Sequence, residues 1–468
     1  MAPSHTKHNQ FVSRRQTLIG ASGIGITTLA GCLGGDTDDS VAGSTGSAGD
    51  VELEFWHIFG SELGGHLEEI VEEYNEKDNG VHVNLTSQGS YGDNFQATMS
   101  SLNAGNAPHI TLLATDANIA AMESGQFVPV SDLLEDRIDF DDRFMEPVLD
   151  YFSVPNDDRY FSLPVNNSTA IMSYNKDMFA EAGLDPEDPP QSFGEVRQVS
   201  EALVDDTQAE EGCAWANVGW FPAQWHGWAE AFQYNEQNGR GNPEHGPTEI
   251  NLHEGTAKRI YGWWKEMYDD GLYMATQQGW GDASGAALQS WRVGITLGST
   301  AGLGRTAQLA EEAEQPFELG AAPLFSPHDD RHGCRIGGGS LWVPEMAVDS
   351  SEEREAVVDF FDWITGPEPQ AEWHKRTGYF PINVGSREIL EEEGWFDENP
   401  AWTAGFESLE ESETSEYTRL SILPDGPEIN PEIMDIWTEL RQGEDLDDTL
   451  ETYKGRIDDI LQDGHPDA

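Results

Sequence analysis

The sequence predicts an α/β protein built as two lobes, and three observations carry that reading. Short apolar runs alternate with amphipathic stretches from Val51 onward. The pattern breaks at a polar, Pro-marked joint at 163–169 and then restarts. Finally, 15 Trp, 20 Phe and 12 Tyr supply core material for two or three domains in 468 residues.

The run Val51-Glu52-Leu53-Glu54-Phe55-Trp56 reads as a strand, and Leu63, Leu67, Ile70, Val71 and Tyr74 recur on one face of the helix that follows. A second strand is expected at 81–85. The next helix, 94–103, stops at Ala104-Gly105-Asn106-Ala107-Pro108, where Gly and Pro end it, and 110–113 forms a further buried strand. Strand, helix, strand, helix, strand implies a parallel sheet with crossover helices. Ligands in such sheets sit beyond the carboxyl ends of the strands. Past Leu163-Pro164-Val165-Asn166-Asn167-Ser168-Thr169, a strand is expected at 170–174. Another at 293–297 leads into Gly298-Ser299-Thr300-Ala301-Gly302, and one at 340–343 follows Gly337-Gly338-Gly339. Helices beginning near Glu352 and Leu446 close the chain. The lobes predicted from this order are 51–165 with 336–380, and 166–335 with 381–468. No internal repeat appears.

Charge narrows the function. There are 86 Asp and Glu against 25 Lys and Arg, a formal net charge of −61, and only 7 of the cations are Lys. A nucleic-acid binder needs a basic stripe, and adhesion to anionic lipid needs basic clusters; both classes drop out. One-sign charge of this size pushes a compact state apart at ordinary salt. At ~1 M salt the Debye length is ~3 Å and the repulsion is screened, so the composition predicts a halophile's protein.

The N-terminus carries an address. Arg14-Arg15 ahead of a short apolar run resembles a twin-arginine export signal, and Leu29-Ala30-Gly31-Cys32 resembles a lipobox, which makes Cys32 the expected lipidation site. The apolar run 18–31 is 14 residues, too short to span a bilayer. Residues 1–31 therefore read as a signal peptide and 32–50, rich in Gly, Ser, Thr and Asp, as a lipidated flexible tether. The expected mature protein is extracellular and monomeric, held to the membrane only through its lipid. Cys213 and Cys334 are candidates for one disulfide in an oxidising exterior, a pairing that sequence leaves open.

The markers of catalysis are missing. There is no His-Glu-x-x-His, Cys-x-x-Cys, Gly-x-Ser-x-Gly or Walker Gly-x4-Gly-Lys, and no cofactor or metal is implied. Gly302-x-Gly304-x-x-Ala307 imitates a dinucleotide fingerprint but reads better as a tight strand-to-helix turn. Paired carboxylates carry no information among 86 acids. Aromatic rings are more useful, because flat rings bind the apolar face of polyols as well as filling cores; Trp220 and Trp225 are the candidates among the clustered tryptophans. His57 reads as a satisfied turn residue or a ligand group. Asn84, Asn166 and Asn167 each open a glycosylation sequon, of which only Asn84 suits a surface.

Several stretches resemble the periplasmic-type solute-binding proteins of ABC importers, and within them the glycerol-3-phosphate-binding branch. They are Phe55-Trp56-His57 with Glu62-Leu63-Gly64, Gly89-x-Tyr91-x-x-Asn94, Gly105-Asn106-Ala107-Pro108, and Tyr174-Asn175-Lys176-Asp177 with Ala182-Gly183-Leu184-Asp185-Pro186. Further on come Gly337-Gly338-Gly339-Ser340-Leu341-Trp342-Val343 and the block from Ala371 to Ile382 that contains Glu372-Trp373-His374 and Thr377-Gly378-Tyr379. The resemblance, to a halophilic archaeal type of this family, runs from about residue 51 to the C-terminus. It implies a type II periplasmic-binding fold closing over one small ligand and delivering it to ABC permease subunits. It also implies ligand contacts at Tyr91, Ser168, Trp220, Ser299, Gly338, Tyr379 and Arg419. Chemically, Arg419 can fork two hydrogen bonds onto a phosphate, and Ser168 and Tyr91 suit glycerol hydroxyls.

One position departs from the branch, which has a glutamate after the third strand where Thr115 falls here with Asp116 next. Either Asp116 substitutes or the polyol end is read differently. The Trp220 match requires an insertion, so Trp225 stays a rival. The reading is a binding lipoprotein for glycerol 3-phosphate or glycerophosphodiesters. The alternatives are a neutral sugar or oligosaccharide as ligand and, in another class, a secreted glycoside hydrolase.

Overall fold

The computed structural model describes residues 51–463, apart from 254, 277–281 and 424–425. The export, lipidation and tether expectations, Cys32 included, fall on residues 1–50 and lie outside the described residues.

Among the described residues there are eleven strands, in chain order β1 (Val51–His57), β2 (Val81–Ser87), β3 (Ile110–Ala114), β4 (Phe127–Val128), β5 (Leu163–Ser168), β6 (Ala170–Asn175), β7 (Cys213–Trp215), β8 (Tyr273–Ala275), β9 (Ile295–Ser299), β10 (Leu319–Pro323) and β11 (Gly337–Pro344). They form two sheets. The first runs β2-β1-β3-β11-β4, with β5 also paired to β11; the second runs β10-β6-β9-β7-β8.

In the first sheet β1 pairs parallel with β2 and β3, as the strand-helix alternation requires, but β11 enters antiparallel to β3, β4 and β5. The expected parallel sheet is thus mixed, because β11 returns from the second sheet rather than through a crossover helix. In the second sheet β6 is antiparallel to β9 and β10, while β7 is parallel to β8 and β9.

The change of sheet after β5 falls at Thr169, later than the predicted boundary at 165, because the polar joint is itself strand: Asn166, Asn167 and Ser168 pair with Gly339, Gly338 and Gly337. A strand so polar is tolerated where backbone pairing satisfies its amides.

The helices end as their sequences dictate. Ser90 caps the helix Tyr91–Ala104 by accepting from the Asp93 N–H, and Gly105 closes it in the left-handed conformation at φ 76°. Capping boxes open the helices Phe193–Asp206 and Ser351–Ile364, with Ser192/Glu195 and Ser350/Glu353 exchanging side-chain and backbone bonds. The run that imitated a dinucleotide fingerprint is a 3-10 turn, Thr300–Gly302, entering the helix Leu303–Glu311.

Most tryptophans are core. Trp215, Trp225, Trp228, Trp264, Trp342 and Trp437 are fully buried, and Trp264 stacks on Trp437 with ring centroids 4.4 Å apart. Trp225 packs among Phe193, Trp215 and Phe325, which removes it as a rival to Trp220. The candidate disulfide is not formed: Cys213 and Cys334 are buried free thiols, on Leu272 O and Ser408 O respectively. Among the described residues no helix is long and apolar enough to cross a membrane.

Candidate functional site

The two sheets meet where β5 hands over to β6. There the Asn167 carbonyl accepts from the Phe380 N–H at 3.1 Å and the Thr169 carbonyl from the Thr300 N–H at 3.0 Å. Around this crossing lie the carboxyl ends of β2, β3, β5 and β9, from which Tyr91, Asp116, Ser168 and Ser299 follow or project. This is the position where open α/β sheets place ligands.

Tyr379 is the most constructed of the candidates, and its neighbours in sequence explain how it is held. Its ring stacks on Trp373, centroids 5.7 Å apart and planes 8° from parallel. Its carbonyl accepts from His374 Nδ1 at 2.8 Å, and its N–H donates to Thr377 Oγ1 at 3.2 Å. Gly378, at φ 88°, ends the helix Pro367–Thr377 in the left-handed region, and a Cβ there would meet the Thr300 carbonyl at 2.2 Å. The opening strand contributes too: Phe59 packs on both Trp373 and Tyr379, and its N–H donates to His57 Nδ1 at 3.2 Å. His57 is therefore a turn residue supporting the wall, and burial lowers its pKa to about 4.

Tyr91 opens its helix with its hydroxyl accepting from Asn166 Nδ2 at 3.2 Å. Tyr379 and Asn166 both act on this phenol, whose pKa burial raises first and Tyr379 second. Two tyrosine hydroxyls and one asparagine amide thus converge. Gly338, at φ 95°, passes behind them, where a Cβ would lie 2.0 Å from the Asn166 carbonyl; at Gly339 it would lie 3.1 Å from the Tyr91 ring. Only glycine permits this approach.

Asp116 lies in the 3-10 turn after β3 and is exposed to water. Its pKa is nonetheless raised, desolvation outweighing the bonds from its own N–H and that of Ala117. Its charge acts on Tyr91 and on Tyr151, and Thr115 hydrogen-bonds to Tyr151. Of the two residues at the departing position, Asp116 is the one that presents a carboxylate to the tyrosines.

Ser168 is buried at the end of β5, opposite Gly337. Ser299 caps the turn Thr300–Gly302, accepting from the Ala301 N–H at 3.2 Å. Trp220, half-buried at the start of the helix Trp220–Trp228, lays its indole against Gly337, where a Cβ would stand 2.8 Å from Cζ2.

Arg419 is engaged already. Its Nε donates to both Asp150 oxygens, at 2.8 and 2.7 Å, and its Nη2 stands 2.5 Å from Oδ1. The sequence reading passed over Asn166 except as a sequon, and it passed over Tyr151, Arg240 and Arg335 altogether. One signal was available for the last: an arginine two residues ahead of the glycine run in a chain with few cations. Asn166 and Asn167 are buried, whereas the Asn84 amide bonds to Glu52 in an exposed pair.

Two α/β sheets joined at a crossing, with hydroxyls, an amide, a carboxylate and an indole gathered there, form an arrangement suited to holding a small polar ligand. The chain belongs to the bacterial extracellular solute-binding protein family, matched over residues 69–404. It is 27% identical over 411 residues to the sn-glycerol-3-phosphate-binding periplasmic protein UgpB of Pectobacterium atrosepticum, covering 84% of this chain and 88% of that one. In structure it is similar to UgpB from Mycobacterium tuberculosis in complex with glycerophosphocholine, with TM-score 0.70, 22% identity and coverage of 89% and 99%. It is likewise similar to the cyclic alpha-maltosyl-1,6-maltose binding protein from Arthrobacter globiformis, with TM-score 0.69, 21% identity and coverage of 89% and 100%. The fold is the type II periplasmic-binding fold that the resemblance implied. These relatives are named as binding proteins, in agreement with the expectation of binding rather than catalysis.

Proposed function

We propose that this protein captures glycerol 3-phosphate or a glycerophosphodiester outside the cell and delivers it to the permease subunits of an ABC importer. The observation that carries the reading is the convergence of Tyr91, Asn166 and Tyr379 beside Asp116, in a chain related along more than four-fifths of its length to glycerol-3-phosphate-binding proteins. The two phenols and the amide suit a polyol's hydroxyls, Asp116 takes the place of the branch's glutamate, and Ser168, Trp220, Ser299 and Gly338 complete the enclosure. Arg419 and the arginines near it supply the positive charge a phosphate needs. Ligand contacts made to both lobes together exist only in the closed form, so binding shifts the open–closed equilibrium. The monomer is exported by its twin arginines and tethered through Cys32, in a halophile's molar salt.

A neutral sugar is the second reading, favoured by Thr115 at the glutamate position and by the indole of Trp220. Calorimetry in molar salt with glycerol 3-phosphate, glycerophosphocholine, glycerol and maltose separates them. A micromolar Kd, about 8 kcal/mol of binding free energy, is expected for the two phosphates. Binding of maltose alone overturns the phosphate reading.

A further inference from the structure

The ion pair between Arg419 and Asp150 ties the two halves of the fold together beside the crossing. Asp150 lies on the helix Glu146–Phe152, which packs on β5 of the first sheet, and Arg419 follows the helix Ala404–Glu410, which packs on β10 and β6 of the second. Contacts along the chain join the pair to the site. The Leu420 N–H donates to the Tyr151 carbonyl at 3.3 Å, and further along the same segment a Cβ on Gly426 would stand 3.3 Å from the Asp116 carbonyl. Asp150 also shares a cleft with Ile336, the residue before the Gly337 on which Trp220 lies.

The main chain at Arg419 is held on every side. Its carbonyl accepts from Arg335 Nη2 at 3.2 Å, its N–H donates to the Ser415 carbonyl at 3.3 Å, and the Leu420 carbonyl accepts from Arg240 Nη1 at 3.1 Å. Arg240 reaches on to the turn after Asp150, where its Nη2 donates to the Ser153 carbonyl at 3.1 Å. Neither Arg335 nor Arg240 has a carboxylate within ion-pair distance among the described residues, so Asp150 serves Arg419 alone. That pairing is one-sided. Nε donates to both Asp150 oxygens, at 2.8 and 2.7 Å, and Nη2 stands 2.5 Å from Oδ1, while Nη1 has no hydrogen-bond partner among the described residues. The Arg419 side chain is 32% exposed against 16% for Asp150, so the clamp is the more buried member and the guanidinium the more open one.

A guanidinium carries donors on two edges, and one carboxylate fills one of them. A clamp on the first edge fixes the aim of the second before a ligand arrives, and so removes rotamer freedom that would otherwise be lost on binding. In molar salt this aim counts for more than long-range attraction, which is damped within ~3 Å across open water.

We propose that Asp150 is a positioning residue for the ligand's phosphate: it clamps the Nε side of Arg419 and so presents the Nη1 side to the incoming anion. The inference rests on the phosphate reading of the site and deepens it. Calorimetry of the wild type with glycerol 3-phosphate in molar salt tests that reading by itself. Asp150→Asn is expected to weaken glycerol 3-phosphate about ten-fold, and Asp150→Glu, which keeps the fork, less than about three-fold. Arg419→Gln is expected to lose more, with a lowered thermal midpoint, because it leaves the Asp150 carboxylate unpaired. Adding Asp150→Asn to Arg419→Gln is expected to cost no further affinity and to recover part of the midpoint. Should Asp150→Asn fail to fold, Asp150→Ser takes its place with the same expectation. Affinity that is unchanged or tighter in Asp150→Asn marks Asp150 as a bystander or a competitor and overturns the inference, while leaving glycerol 3-phosphate as the ligand. Equal loss from Asp150→Asn in the wild type and in Arg419→Gln makes its role purely structural and overturns it as well. A wild type that binds maltose and no phosphate overturns both the inference and the reading beneath it.

Discussion

Tyr379 shows how a short stretch of sequence holds one phenol at the crossing of the sheets. The stacked Trp373, the His374 bond to its carbonyl and the Thr377 hydroxyl under its N–H each remove a freedom the phenol would otherwise lose on binding ligand. Tyr379→Phe removes only the hydroxyl, so glycerol 3-phosphate affinity is expected to fall about ten-fold, one charge-assisted hydrogen bond's worth, with the thermal midpoint unchanged. Trp373→Ala is expected to lower both, and calorimetry with a melting curve reads the difference. Gly338 is the opposite case, a residue needed for what it lacks. Gly338→Ala must place a Cβ 2.0 Å from the Asn166 carbonyl at φ 95°. The predicted cost is at least ~2 kcal/mol from backbone strain and displacement of β5, seen as a lower denaturation midpoint and weaker binding together.

At the scale of elements, the helix Trp220–Trp228 carries two tryptophans with separate duties. Trp225 is fully buried among three rings of the second sheet's core, and Trp220 is half-buried against Gly337 at the crossing. Trp225→Ala is expected to cost about 3–5 kcal/mol of stability, as large aromatic truncations do. Trp220→Ala is expected to cost less stability and to weaken ligand binding several-fold. Equal destabilisation by the two would show that Trp220 is also core. The strands bearing Cys213 and the segment bearing Cys334 are unlinked, and burial raises both thiols, so they are poor nucleophiles. Reducing agent is therefore expected to leave the thermal midpoint unchanged.

For the whole molecule, charge and burial set the response to solution conditions. His57, His226 and His374 are each lowered to about 4 by burial, and the Nε2 atoms of the latter two are buried without a partner. Between pH 6.5 and 4 the unfolded chain binds protons at these positions and the folded protein does not. Stability therefore falls as pH falls through that window, by about 1.4 kcal/mol per pH unit for each histidine. Asp116, Glu211 and Glu411, raised by burial, oppose this where they take up protons in the folded state first. Denaturant titrations across pH 4–7 read the sum, and His226→Gln is expected to flatten the slope. A net charge of −61 predicts that the midpoint rises steadily with added KCl as repulsion is screened; a protein equally stable without salt would refute the halophile reading.

The alternation from β1 to β3 was legible because apolar periodicity and Gly or Pro stops are local properties of the chain. Tyr91, Gly338 and Tyr379 came instead from the resemblance, and the fold brings all three to the crossing of the sheets. What sequence could not supply was distance. It left Trp220 and Trp225 as rivals until burial separated them, and it treated β5 as a joint because a polar strand has no apolar signature. Arg419 was a free fork on paper; Asp150, 269 positions earlier in the chain, occupies it. Arg335 and Arg240 went unnoticed because a cation without a counter-charge is a fact about neighbours in space. Composition and periodicity determined the α/β class of the fold and excluded nucleic-acid and anionic-lipid binding, since both are sums over the chain, while the resemblance carried the binding-protein class. Only the tertiary structure decided which charges are already paired, because pairing depends on contacts between residues far apart in sequence.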